Sequence, residues 1–144
     1  MKHFSVVLLM IVLLYGCETL DENHLQFYHD NFEIIIHQVT LHETSQEEDL
    51  LLVDLTFTNT SDSSVEVNPL TQFHMGVNTI DEREVEPDAG SYDTLLGSYF
   101  NCEAKNGVLA FSVPSDVSDY TLIFTQDMTT IEISIPYENI KAKS

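Results

Sequence analysis

The sequence predicts an all-β protein, an antiparallel β-sandwich of about seven or eight strands. Three observations carry this. From Asn31 onward the apolar residues fall in short runs that alternate with polar ones, the period of a half-buried strand. Clusters of Asn, Thr, Ser, Asp, Gly and Pro separate the runs. No stretch beyond residue 31 carries a helical period long enough to compete. A closed barrel is the alternative fold, but the long excursion 81–106 suits a sandwich crossover better.

In NFEIIIHQVTLHE, Phe32, Ile34 and Ile36 share a face, and Val39 and Leu41 continue it out of phase. That slip predicts a β-bulge near His37–Gln38. In DLLLVDLTFTNTSD, Leu51, Val53, Leu55 and Phe57 form one face, against Leu52, Asp54, Thr56 and Thr58. Residues Asn59 to Ser64 then offer turn chemistry, because short polar side chains bond their own backbone. Val65 and Val67 make a short strand stopped at Asn68-Pro69, since proline has no N–H for a ladder. A weaker strand within 71–80 carries Phe73, Met75 and Val77, and the acidic loop DEREVEPDAG follows it. The region SYDTLLGSYFNCEA reads equally as a helical turn or an irregular crossover. Asn106-Gly107 is expected to turn the chain into a strand bearing Leu109, Phe111 and Val113. Two more strands carry Tyr120, Leu122 and Phe124, then Ile131, Ile133 and Ile135. Residues 138–144 are expected to be a C-terminal extension beyond a sandwich spanning 31–137.

The first residues follow a different logic. Lys2 and His3 precede FSVVLLMIVLL, an apolar run that suits the h-region of a signal peptide and falls short of the roughly 20 residues of a spanning helix. A short membrane anchor is the other reading of that run. Leu14, Tyr15, Gly16 and Cys17 then resemble the lipobox of bacterial lipoproteins, in which the cysteine thiol takes a diacylglycerol and becomes the new N-terminus. This predicts a signal peptide over 1–16, a lipidated Cys17 and an acidic tether over 17–30. An ordinary signal peptide followed by a chance cysteine is the bland alternative. Spending Cys17 on lipid takes it out of disulfide chemistry. Cys102 is then expected as a buried small hydrophobe, a reactive thiol or half of an intermolecular bridge being the other fates of an odd cysteine.

Charge excludes one class of partner. Lys2 is the only charged residue before Cys17, so the chain from Cys17 on carries 5 − 1 = 4 basic and 24 acidic side chains, a formal net charge of 4 − 24 = −20. Such a surface repels nucleic acid and anionic headgroups and favours cationic partners or divalent cations. It also suits a salty or alkaline medium.

The block DLLLVDLTFTNTSDSSVEVNP, then NGVLAFSVPSDVSDYTLIF and TTIEISIP, resembles the telokin-like immunoglobulin-fold domain of bacterial lipoproteins, domain of unknown function 4352. The residues that carry the resemblance are Asn59, Thr60, Asn68, Pro69, Gly107, Phe111, Val113, Pro114, Leu122 and Phe124, over about residues 31–136. Glu103-Ala104-Lys105-Asn106 stands where the family has Pro-Gly. The resemblance implies an exported immunoglobulin-like β-sandwich and brings no catalytic residues with it.

Candidate sites are few. Asp81, Glu82, Glu84, Glu86 and Asp88 form a carboxylate-dense loop of the kind that can supply the six to eight oxygens calcium takes (about that many), although the spacing is not that of an EF-hand. The usual fate of such a loop is solvation. The histidines, among them His24, His29, His37, His42 and His74, show no HExxH or i, i+2 zinc spacing. No G-x-S-x-G elbow, phosphate-binding glycine loop or basic–aromatic stripe is present. No enzyme is therefore expected. Tyr92, Tyr99, Phe100 and Tyr137 fall outside the strand alternation and are candidates for a binding face, the first three above all, against the simpler role of core cover under a long loop. The expectation is a non-catalytic module, lipid-anchored to the cell membrane or outer membrane on its extracytoplasmic side, that binds a protein, peptide or envelope component. It needs no cofactor beyond the diacylglycerol on Cys17; an acidic, calcium-binding lipoprotein is the alternative.

Overall fold

Two long strands of twelve residues organise the chain. β2 (Phe32–Glu43) runs antiparallel to β3 (Glu48–Asn59). The register pairs Ile36 with Leu55 but Gln38 with Asp54, so His37 is the extra residue of a β-bulge where the apolar pattern slips. The computed structural model describes residues 25–78, 83–91, 93–117 and 119–143.

The first sheet has the order β1–β2–β3–β8, where β1 is Leu25–Tyr28 and β8 is Ala104–Pro114. Leu51, Val53, Leu55 and Phe57 of β3 and Leu109, Phe111 and Val113 of β8 point into the sandwich and are fully buried. After β3 come β4 (Val65–Val67) and a one-turn helix α1 (Pro69–Gln72). Asn68 caps that turn through its side chain, which accepts from the Leu70 N–H, and Pro69 occupies the first turn, where its missing N–H costs nothing. The second sheet has the order β10–β9–β5–β6, from β5 (Phe73–Val77), β6 (Arg83–Val85), β9 (Tyr120–Gln126) and β10 (Thr129–Ile135). A small pair joins β4 to β7 (Gly97–Tyr99). Between the sheets, Phe124 meets Phe32 edge-on at 4.8 Å and Phe57 at 5.2 Å, and it packs on its partner within the second sheet, Phe73, at 4.7 Å. Contacts of this kind add about 0.5–1.5 kcal/mol each beyond the area they bury.

The sandwich is wider than the alternation predicts. Of eleven strands among the described residues, β1, β6, β7 and the final β11 (Ile140–Lys143) were not expected. Each has four residues or fewer, too short to show a period. β1 corrects the boundary at residue 31: Leu25 and Phe27 pack against the core, so the fold begins inside the expected tether. At the other end, the residues expected as an extension make a 3-10 turn over Tyr137–Asn139 and then β11, which pairs in parallel with β2. β1 and β11 lie end to end along one edge of β2, on either side of the bulge. No helix among the described residues is long and apolar enough to cross a membrane.

Two further expectations are corrected. Asn106-Gly107 is no turn but lies within β8, opposite Thr56 and Leu55. Glycine is required there for space: a Cβ at 107 would sit 2.5 Å from Thr94 Oγ1 and 2.6 Å from Leu95 Cγ. Cys102 is not a core residue. It is exposed, has φ 61 in a turn closed by Glu103 N–H donating to Phe100 O, and is disulfide-bonded. The turn aims its side chain outward, which local hydrophobicity does not reveal. The sequence holds one other cysteine, Cys17, outside the described residues.

Asn59, at the end of β3, is fully buried. Its Nδ2 donates to Ser63 O and Tyr99 O, and its Oδ1 accepts from the Ser61 N–H and hydroxyl. Its backbone N–H donates to Glu103 O and its carbonyl accepts from Cys102 N–H.

Gly107→Ala is expected to lower the unfolding free energy by about 1–3 kcal/mol in urea titrations, because fully buried Leu95 has no room to retreat. Asn59→Ala should cost about 1–3 kcal/mol by the same measurement, with the Tyr99 carbonyl left unpaired in the interior. Burial pushes the Tyr120 phenol up to about 12 from 10, with Asp49, Asp116 and Tyr137 adding to it. A raised pKa means the fold favours the neutral phenol. Its contribution is therefore whole below pH 10 and is lost between pH 10 and about 12. Tyr120→Phe should flatten the alkaline loss of stability across that window, read as unfolding free energy against pH.

Candidate functional site

The acidic run does not assemble a cation cage among its described members. Asp81 and Glu82 lie outside the described residues. Glu84 sits on β6 opposite Gly76, and Glu86 is exposed. Asp88 is half-buried and its carboxylate accepts from the Ser112 hydroxyl at 3.0 and 3.2 Å. Its N–H donates to Ala110 O at 2.7 Å, and its carbonyl accepts from the Ser91 N–H and hydroxyl. Asp88 thus pins the excursion to the outer edge of β8. Among the described residues no three His, Cys, Asp or Glu side chains gather as metal ligands.

The aromatic candidates separate. Tyr92 lies outside the described residues. Tyr99 is corrected from the binding face to the core: it is fully buried, packs edge-on against Phe57 at 5.3 Å and donates its hydroxyl to Leu95 O at 2.6 Å. Its phenol is pushed well above the usual range by burial and then by the Glu103 carboxylate. Lys105 Nζ covers the ring at 4.4 Å and donates to Ser98 O. Phe100, the next residue, is 69 % exposed. Alternation along β7 and its exit from the sheet explain why neighbouring aromatics take opposite sides.

One polar trio leaves no local signal in the sequence. His37 Nε2 lies 2.6 Å from Thr56 Oγ1, and the Thr56 hydroxyl donates to Asn106 Oδ1. The His37 ring nitrogen and the Asn106 amide oxygen thus both meet the Thr56 hydroxyl. The trio follows from the β3–β8 register, which sets Thr56 opposite Asn106, and from the bulge that displaces His37.

Two depressions mark the surface. One, of about 280 Å³, lies at an end of the sandwich between His29, Asn31, Ser61, Ser63 and the β9–β10 turn at Asp127. The His29 ring stacks on Phe32 at 4.9 Å, and its Nδ1 is buried with no hydrogen-bond partner among the described residues. The other, of about 380 Å³, lies on the outer face of the second sheet. Gly76, Thr121 and Ile123 line it together with Glu84, Asp119, Glu132 and Arg83. Three carboxylates against one guanidinium suit a cationic group better than an anion.

No curated protein matches the chain. Solved structures share its fold. The "putative lipoprotein (ycdA)" of Bacillus subtilis aligns with a TM-score of 0.62 at 17% identity, over 83% of this chain and 40% of that one. This chain thus spans less than half the length of that protein. The yjhA protein of Bacillus subtilis aligns with a TM-score of 0.55 at 15% identity, over 77% of this chain and 96% of that one. A functionally unknown protein of Listeria monocytogenes EGD-e aligns at 0.54 and 12% identity, over 78% and 81%. At these identities the likeness is one of fold. The sequence itself matches the domain of unknown function DUF4352 over residues 18–133, and the chain belongs to that family.

Proposed function

We propose that this protein is a lipid-anchored, extracytoplasmic β-sandwich that binds a protein, peptide or envelope component without performing chemistry. The observation that carries the reading is the Leu14–Cys17 lipobox directly behind an apolar run, placed just ahead of the first strand at Leu25. The likeness in fold to a protein named a lipoprotein supports it. Eight residue steps separate Cys17 from Leu25, so an extended connection spans at most about 26–29 Å. A lipid on Cys17 would therefore hold the domain within about its own diameter of the bilayer. The binding role is supported by the two depressions.

The disulfide of Cys102 is the observation that weighs against this reading, because one sulfur on Cys17 holds either a diacylglycerol thioether or a bridge to Cys102, and an anchored chain leaves Cys102 only an intermolecular bridge. Fatty-acid labelling and intact-mass analysis of the full chain made in bacterial cells separate the two fates of Cys17. Labelled wild-type protein, cleaved ahead of Cys17, with no label on Cys17→Ser, is the expected result. An unlabelled chain bridged from Cys17 to Cys102 overturns the anchor.

A further inference from the structure

The sandwich guards its sheet edges unequally. The free side of β2 is covered by β1 and β11. The free side of β8 is met by Asp88, whose N–H donates to Ala110 O and whose carboxylate takes the Ser112 hydroxyl. β6 ends the second sheet with only three residues, two of them charged. At the opposite end of that sheet, β10 pairs with β9 along seven residues and, among the described residues, hydrogen-bonds nothing on its other side. Its sequence, TTIEISI, has no lysine or proline, and its pairing with β9 shows no bulge, the devices that blunt an edge.

The register says which groups point outward. Gln126 and Thr129 close a two-residue turn, so they exchange hydrogen bonds, and every second pair after them does the same. Thr130, Glu132 and Ser134 therefore direct their N–H and C=O groups away from β9. Ile131 and Ile135 are buried toward the core, while Ile133 between them is only half-buried. An added strand would satisfy the outward backbone groups and cover Ile133 with apolar side chains. On its opposite face it would set a side chain about 4.5–5.5 Å from Glu132.

Charge selects the occupant. A second copy aligned antiparallel about Glu132 would set two Glu132 carboxylates opposite each other, between chains of formal net charge −19 each. A cationic strand meets Glu132 directly, with Glu84 and Asp119 of the neighbouring depression behind it. We propose that β10 is an augmentation edge that accepts an extended partner segment of alternating apolar and Lys or Arg residues, adding a fifth strand to the second sheet. This rests on the reading of the domain as a binding module and names its surface.

The probe is a blocked peptide of alternating valine and lysine, about nine residues long, titrated against the full chain by calorimetry and followed by amide chemical shifts. Binding is expected, with shifts along 129–135. Ser134→Pro removes an outward N–H and should weaken binding about tenfold or more, as should N-methylation of alternate peptide amides. Glu132→Lys should weaken the lysine peptide and strengthen its glutamate counterpart. Circular dichroism melting of each variant shows whether the fold is kept. Ser134→Ala, which retains the N–H, should bind as the wild type does and serves where the proline variant fails to fold. No binding by the native chain, or binding indifferent to N-methylation, overturns the proposal, and so does a concentration-dependent dimer that Ser134→Pro abolishes. Shifts confined to His29, Asn31 and Ser61 would overturn the β10 edge yet leave a binding module, whereas the absence of binding by any basic or acidic peptide would count against both.

Discussion

A single buried amide, that of Asn59, decides how the strands are connected. It stands where β3 leaves the core, and all of its polar groups are engaged: side chain to Ser61, Ser63 and Tyr99, backbone to Cys102 and Glu103. Burying an amide without partners costs several kcal/mol, so the site tolerates only conformations that meet every demand. The turn 60–64 must curl back on its own side chain. The chain returning from β7 must pass with Tyr99 O in reach and enter β8 with Thr58 opposite Ala104. The Tyr99 ring is thereby delivered onto Phe57, and the long excursion closes onto the core it left.

This coupling explains what the amino-acid sequence disclosed and what it withheld. Period-two alternation identifies β2, β3, β5, β8, β9 and β10, and even the bulge, because each strand's pattern is written within itself. Asn59 was legible as a turn former but not as the hub of two segments 40 residues apart. Gly107 looked like half of a turn because its nearest neighbour is Asn106. The reason for glycine is Leu95, twelve residues away and folded back onto β8. Tyr99 and Phe100 are adjacent and chemically alike, so only the path of β7 tells which one enters the core. Cys102 looks apolar in sequence but is placed outward by a turn with positive φ. For the candidate site, the surplus of negative charge was plain from composition, whereas the gathering of Glu84 of β6, Asp119 ahead of β9 and Glu132 of β10 around one depression depended on register.

The same economy governs the rim. Short elements with little sequence signal, β1, β11 and the Asp88 loop, do most of the edge covering, which is why an inventory of strong strands underestimates how well the sheets are protected. Their presence gives the bare side of β10 its meaning. An exposed edge in a protein that leaves all its edges bare would say little; here it stands beside edges closed by specific hydrogen bonds.

Position ties the edge to the N-terminus. β6 lies beside β8, so β10 occupies the other flank of the sandwich, the flank where β1 and β11 line β2. The aromatic contact between Phe32 of β2 and Phe124 of β9 spans the two sheets on that flank. A lipid on Cys17 would pull from Leu25, on the same flank, through a connection no longer than about 26–29 Å. An acidic domain held in that way would be repelled by an anionic bilayer, so tether and charge would oppose each other on the flank of β10. An extended cationic segment would suit the space between them, because it needs only the width of one strand, about 4.7–4.9 Å from its neighbour, and its charge would be attracted from both sides.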